Sequence, residues 1–151
     1  MTPQSGPPRI LFAENDPLDV EMTLAALAEH HVTNEIVVVP DGAAALDYLY
    51  ARGRFAGRPA GNPLFILLDL KMPKVDGLEV LKTIKADAAL RLIPVVMLTS
   101  SREEQDLVRS YELGTNAFIV KPVGFPAFVD AIKHLGVFWA IHNQPPPAQG
   151  H

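Results

Sequence analysis

Five short apolar runs punctuate the chain: Ile10–Ala13, Ile36–Val39, residues 64–68, residues 95–98 and Ala117–Val120. Each holds four or five residues drawn from Val, Ile, Leu, Phe, Met and Ala, and none alternates polar with apolar. A strand with one face in water alternates; an unbroken apolar run reads as a strand covered on both faces. Strands of that kind, separated by helices, make a parallel sheet, because right-handed crossovers lay helices over its two sides. The chain is therefore read as an α/β fold.

The intervening segments carry helix signals. Asp16 caps a first helix with Pro17 at its first position and Asp19 and Glu21 in its opening turn. Val20, Leu24, Leu27 and Ala28 give that helix an apolar face. Asp41-Gly42 opens a second helix running to Tyr50, and Leu78, Leu81 and Ile84 line a third. Ser101-Arg102-Glu103-Glu104 is a capping box for a fourth, with Gly114 as its stop. Phe128, Ile132, Leu135 and Trp139 stripe a fifth. Residues 51–63, with three Gly and two Pro, form a long loop before the third strand.

Composition narrows the function. The 151 residues suit one domain, and 48% hydrophobic against 20% charged is an ordinary globular balance. A net charge of −4 argues against a nucleic-acid binder, which needs a basic face to displace phosphate counterions. With no Cys there is neither a disulfide nor a thiolate metal site, and the five His form no metal-spaced cluster. Glu29-His30-His31 reads as a helix end. No apolar run approaches the ~18 residues that span a bilayer. Residues 1–8 carry no basic residue and do not read as a signal peptide, so a cytoplasmic protein with no membrane partner is expected.

In doubly wound sheets, functional side chains gather at the carboxyl ends of the strands. Here those positions hold Glu14, Asn15 and Asp16, then Asp69, then Thr99 and Ser100, then Lys121-Pro122. Any one of these is commonplace on a surface. Together they combine oxygen donors suited to a hard dication with a nucleophilic carboxylate, a hydroxyl and an ammonium suited to a transferring phosphoryl group.

Residues 10–16 (Ile-Leu-Phe-Ala-Glu-Asn-Asp), residues 67–73 (Leu-Leu-Asp-Leu-Lys-Met-Pro) with Asp76-Gly77, residues 97–100 (Met-Leu-Thr-Ser) and residues 118–122 (Phe-Ile-Val-Lys-Pro) resemble the receiver domain of two-component response regulators. The resemblance spans most of the chain. It implies a flavodoxin-like, doubly wound five-stranded parallel sheet of order 2-1-3-4-5 with helices on both faces. The expected receiver domain covers residues 9–143, between a flexible tail of residues 1–8 and a Pro-rich tail of residues 144–151. By that resemblance Asp69 is the phosphoacceptor, Thr99 and Lys121 attend the phosphoryl group, and Phe118 shares the switch role with Thr99. Mg²⁺ is expected on Glu14, Asn15, Asp16, Asp69 and the backbone carbonyl of Lys71, and the Lys121-Pro122 bond is expected to be cis.

One residue departs from the pattern. Asn15 stands where the family usually has a carboxylate, so it brings an oxygen to the metal without a negative charge. Residues 14–27, the long loop and the ending around Phe138-Trp139 further resemble single-domain regulators partnered with phytochrome histidine kinases. A second apolar stripe around Phe138 and Trp139 points to a homodimer through the last helix and its flanking strand. The implied function is a stand-alone phosphorylation-switched relay, a phosphoacceptor signalling protein and not a turnover enzyme. The rivals are a phosphate-independent pseudo-receiver, a flavin-binding electron carrier and an aspartate-using phosphohydrolase. The carrier needs a Gly- and hydroxyl-rich phosphate loop where Glu14-Asn15-Asp16 would repel one. The hydrolase usually has an acid two residues after its nucleophile, where this chain has Lys71.

Overall fold

A computed structural model describes residues 8–137 and 140–141, apart from the side chain of Ser110. Five parallel strands form one sheet: β1 (Ile10–Ala13), β2 (Ile36–Val39), β3 (Phe65–Asp69), β4 (Val95–Thr99) and β5 (Ala117–Val120). Their order is β2-β1-β3-β4-β5, as expected for a doubly wound sheet. Five helices intervene: α1 (Pro17–Glu29), α2 (Gly42–Leu49), α3 (Gly77–Ala86), α4 (Arg102–Ser110) and α5 (Phe125–Leu135). Among the described residues no helix is long and apolar enough to cross a membrane.

The period of two along each strand splits the core. Leu11, Ala13, Ile66, Leu68, Val95 and Met97 face the layer that holds α2, α3 and Val108 of α4. Ile10, Phe12, Phe65, Leu67, Val96 and Leu98 face the layer of α1 and α5. Strands buried on both sides explain why the five runs lack polar alternation.

Local signals differ from the sequence reading in instructive places. The third and fourth strands each run one residue further, because Asp69 pairs with Leu98 and Thr99 with Val120 in the sheet register. Asp69 and Thr99 are thus the last strand residues, held by the ladder. On α1 the buried residues are Thr23 and Leu27, with Val20 and Leu24 packed beside them; Ala28 is exposed. The α1 end instead docks through His30, whose ring stacks on Phe125 at 3.9 Å. Helix α2 stops at Leu49, with Tyr50 as its cap.

Gly114 does not stop α4. Tyr111 and Glu112 donate to Val108 and Arg109, a tighter i to i−3 pattern that closes the helix at Ser110, and Glu112 takes the left-handed conformation at φ 51. Helix α5 closes at Leu135 on Gly136, which is left-handed at φ 76, and it carries Phe128, Ile132 and Leu135 of the expected stripe. Phe138, Trp139 and residues 1–7 and 142–151 lie outside the described residues. The long loop wraps two arginines: Arg9 and Arg58 donate to carbonyls of residues 59–61, and Arg58 reaches Tyr48 O as well.

Gly77 shows why α3 begins where it does. Its N–H donates to Leu70 O at 2.8 Å, and a Cβ there would lie 2.1 Å from Asp69 O. The helix start is thereby pressed onto the backbone of Asp69. At an ordinary exposed helix site Gly→Ala gains up to ~1 kcal/mol. Here the clash reverses the sign, and Gly77→Ala is expected to lose about 1–3 kcal/mol, read as a lower urea midpoint at unchanged m.

Candidate functional site

Strand order reverses around β1, so β1 and β3 diverge into crossovers on opposite sides and leave a crevice at their carboxyl ends. A cleft of about 240 Å³ lies there, lined by Glu14, Asn15, Asp16, Asp19, Asp69, Lys71, Ser100, Glu104 and Lys121. The sheet register explains the selection. Ala13 pairs with Leu68, so Glu14 follows β1 beside Asp69 at the end of β3. Val120 pairs with Thr99, which brings Lys121 in from β5, and the Lys121-Pro122 bond is cis.

Alternation decides which of these side chains meet. Glu14, Asp69 and Lys121 continue the parity of Phe12, Leu67 and Ile119, on the α1–α5 side. Lys121 Nζ lies 3.1 Å from Glu14 Oε1 and 3.2 Å from Asp69 Oδ1. Thr99 continues the parity of Val95 and Met97, on the opposite side, and Phe118 packs in that same layer. Thr99 is fully buried, and its hydroxyl has no hydrogen-bond partner. Asp69 thus meets Lys121, while the Thr99 hydroxyl meets no hydrogen-bond partner.

Two nearly buried carboxylates beside one ammonium set the electrostatics. Glu14 accepts the Asp16 N–H through Oε2 at 3.1 Å and Lys121 through Oε1. Burial, reinforced by the Asp69 charge, nevertheless pushes its carboxyl up to about 7. Burial alone would lower the Lys121 ammonium; Asp19, Asp69 and Glu14 outweigh it and hold the lysine above its ordinary range.

The remaining expected residues are placed less directly. Asp16 is the N-cap of α1 and accepts Leu18 N–H at 2.9 Å. Asn15 is exposed at the rim. Among the described residues no group of three or more His, Asp or Glu is arranged ready for a metal ion. Beside the two lysines, the cleft is lined by side chains that offer oxygen donors, the chemistry that suits a hard dication. Lys121 contacts one oxygen each of Glu14 and Asp69.

Two residues of the cleft were read from sequence only as helix-start acids. Asp19 Oδ2 lies 3.1 Å from Lys121 Nζ. Glu104 receives Ser101 capping at its own N–H, but its carboxylate reaches Ser100 N–H at 2.7 Å and Lys71 Nζ at 3.1 Å. The reciprocal half of the capping box is thus shifted by one residue, and it bridges α4 to the segment after β3. The signal available for both was their position in the first turn of a helix that starts at the strand ends.

The family comparison agrees with this geometry. The response regulator receiver domain family matches residues 10–133, and the chain belongs to that family. The bacteriophytochrome response regulator AtBRR is 60% identical, with 92% of this chain and 99% of that one covered at a TM-score of 0.87. The phosphorylated cyanobacterial phytochrome response regulator RcpA is 39% identical, covering 89% and 94% at 0.71. Response regulator Rcp1 of Synechocystis sp. is 36% identical over 140 residues, 92% of this chain and 94% of that one, and the structure of its Mn²⁺-bound form superposes at 0.70. The protein is a receiver-domain signalling protein related to phytochrome response regulators.

Burial alone would push the Glu104 carboxyl up, but the Ser100 N–H and the Lys71 ammonium outweigh it and hold it below its usual value. A depressed carboxylate contributes stability above the ordinary value of 4.5 and loses it as pH falls through the lowered one. Glu104→Gln is expected to destabilise by about 1 kcal/mol at neutral pH. In urea melts the gap from wild type should close in acid.

Proposed function

We propose that the protein accepts a phosphoryl group on Asp69 from a partner histidine kinase and relays the signal by a conformational change. The observation that carries this is the buried Asp69 carboxylate beside the Lys121 ammonium at the switch point of the sheet. An Asp69 oxygen attacks the phosphorus of a kinase phosphohistidine in line; the P–N bond breaks as the P–O bond forms, and the imidazole leaves with the bonding pair. Lys121 meets the charge on the phosphoryl oxygens. Glu14, Asn15, Asp16, Asp69 and the Lys71 carbonyl would hold Mg²⁺, which supplies charge neutralisation to the transferring group. Thr99, whose buried hydroxyl lacks a partner, turns toward the modified Asp69, and Phe118 in the same layer responds.

The partner is a phytochrome-type kinase, a reading supported by the bacteriophytochrome and cyanobacterial phytochrome regulators among the relatives. The cytoplasm is the matching compartment. The rival is a pseudo-receiver that works without phosphate, and Asn15 is its best support.

Incubation with a small acyl-phosphate donor and Mg²⁺, read by intact mass, separates the two. The wild type is expected to gain one phosphoryl group and Asp69→Ala none; no adduct on the wild type supports the pseudo-receiver. Asn15→Asp, which restores a negative charge at the metal, is expected to reach half-modification at lower Mg²⁺. An unchanged Mg²⁺ requirement there, with a loss in Asp16→Ala, makes Asp16 the ligand instead.

Pairing of two copies through α5 and β5 belongs to the same proposal. Leu107, Tyr111 and Val120 are large apolar side chains exposed on α4, just beyond it, and on β5. Burying one Trp side chain of ~150–250 Å² is worth roughly 4–6 kcal/mol gross at ~25 cal/mol per Å². Sedimentation at micromolar concentration is expected to show a dimer that Trp139→Ala weakens; a wild-type monomer removes the idea.

A further inference from the structure

We propose that Asp19 is a positioning residue for Lys121: it holds the ammonium in the unmodified protein and competes for it with a phosphoryl group on Asp69. The inference rests on Asp69 being the acceptor. An ammonium has three N–H donors and no acceptor. Two of them are hydrogen-bonded to carboxylates, with Nζ 3.1 Å from Glu14 and 3.1 Å from Asp19, and Asp69 adds an ion pair at 3.2 Å. A phosphoryl group on Asp69 draws on the same ammonium, so it competes with the two hydrogen bonds already made.

The three partners are not equal. The Glu14 side chain is 1% exposed, and releasing it would strand a buried carboxylate. Asp69 is the residue that carries the phosphoryl group. The Asp19 side chain is 26% exposed in the first turn of α1, so water takes over as the lysine leaves. Asp19 is the contact that yields, and the strength of its hold opposes the phosphorylated state.

The local chain explains why Asp19 is available. An acid three residues past an N-cap ordinarily folds back onto the N–H of the capping residue. That N–H, on Asp16, is already taken by Glu14 Oε2. Asp19 reaches across to β5 instead. The charge missing at Asn15 is thus offset by a carboxylate that serves the lysine, not the metal.

The test uses beryllofluoride with Mg²⁺ as a stable mimic of the phosphoryl group. Asp19→Asn, with Asp19→Ser as a second variant, is expected to bind the mimic about three- to tenfold more tightly than wild type. In the absence of mimic and metal, the protected Lys121 side-chain ammonium signal in ¹⁵N NMR is expected to be lost in both variants, a change that a purely structural role for Asp19 would not produce. Equal or weaker binding by both variants overturns the inference while leaving Asp69 as acceptor. A wild type that takes up neither beryllofluoride nor a phosphoryl group overturns the acceptor reading and this inference together.

Discussion

The Lys121 ammonium is the only positive group in contact with three carboxylates that the fold brings together from β1, α1 and β3 among the described residues. Without it Glu14 and Asp69, each almost fully buried, would face one another at adjacent strand ends with nothing to offset their repulsion. One cation does not fully serve three carboxylates, and burial, with the Asp69 charge beside it, pushes the Glu14 carboxyl up to about 7. The oxygens of Glu14 and Asp69 are of the kind a hard dication takes, and under the proposed function they would be shared between metal and lysine.

This balance depends on backbone positions fixed by close contacts at two helix starts. The start of α3 is pressed against the Asp69 carbonyl at Gly77, and the start of α2 is pressed against the Val75 carbonyl at Gly42. Both helices begin with an aspartate cap, Asp76 onto Glu79 N–H and Asp41 onto Ala44 N–H. Lys74 reaches Asp41 at 3.5 Å. The starts of α1 and α4 line the cleft, and the loop after β3 is tied through Lys74 to the start of α2 and through Lys71 to that of α4.

Much of this was legible in the residues. Unbroken apolar runs gave the strands, and three of the five match residue for residue. Asp16, Asp41 and Ser101 were readable as caps because their chemistry is local. The order of the strands came through the family resemblance, since no local signal encodes which strands pair, and the role proposed for Asp69 rests on that resemblance too. What stayed hidden is what depends on competition between partners. Asp19 and Glu104 looked like ordinary first-turn acids, and only the occupied Asp16 N–H and the nearby Lys121 and Lys71 redirect them. Gly114 looked like the stop of α4 because the tightening at Tyr111 and Glu112 needs no glycine.

Alternation along the strands has a further consequence for how a change at Asp69 is transmitted. Asp69 and Lys121 lie on the side of the sheet covered by α1 and α5, whereas Thr99 and Phe118 belong to the other layer. On the proposed relay, a change that starts at Asp69 passes over the carboxyl edge of the sheet, because the strands themselves are a packed wall. Thr99 lies at that edge: its backbone carbonyl accepts Lys121 N–H at 2.8 Å, and its buried hydroxyl has no hydrogen-bond partner. An unpartnered buried hydroxyl is costly, so a rotation that finds it an acceptor is downhill. Phe118 packs against the core of the other layer, and its ring carries the Arg109 guanidinium of α4 at 4.6 Å. In the proposed relay Phe118 and Arg109 would couple β5 to α4.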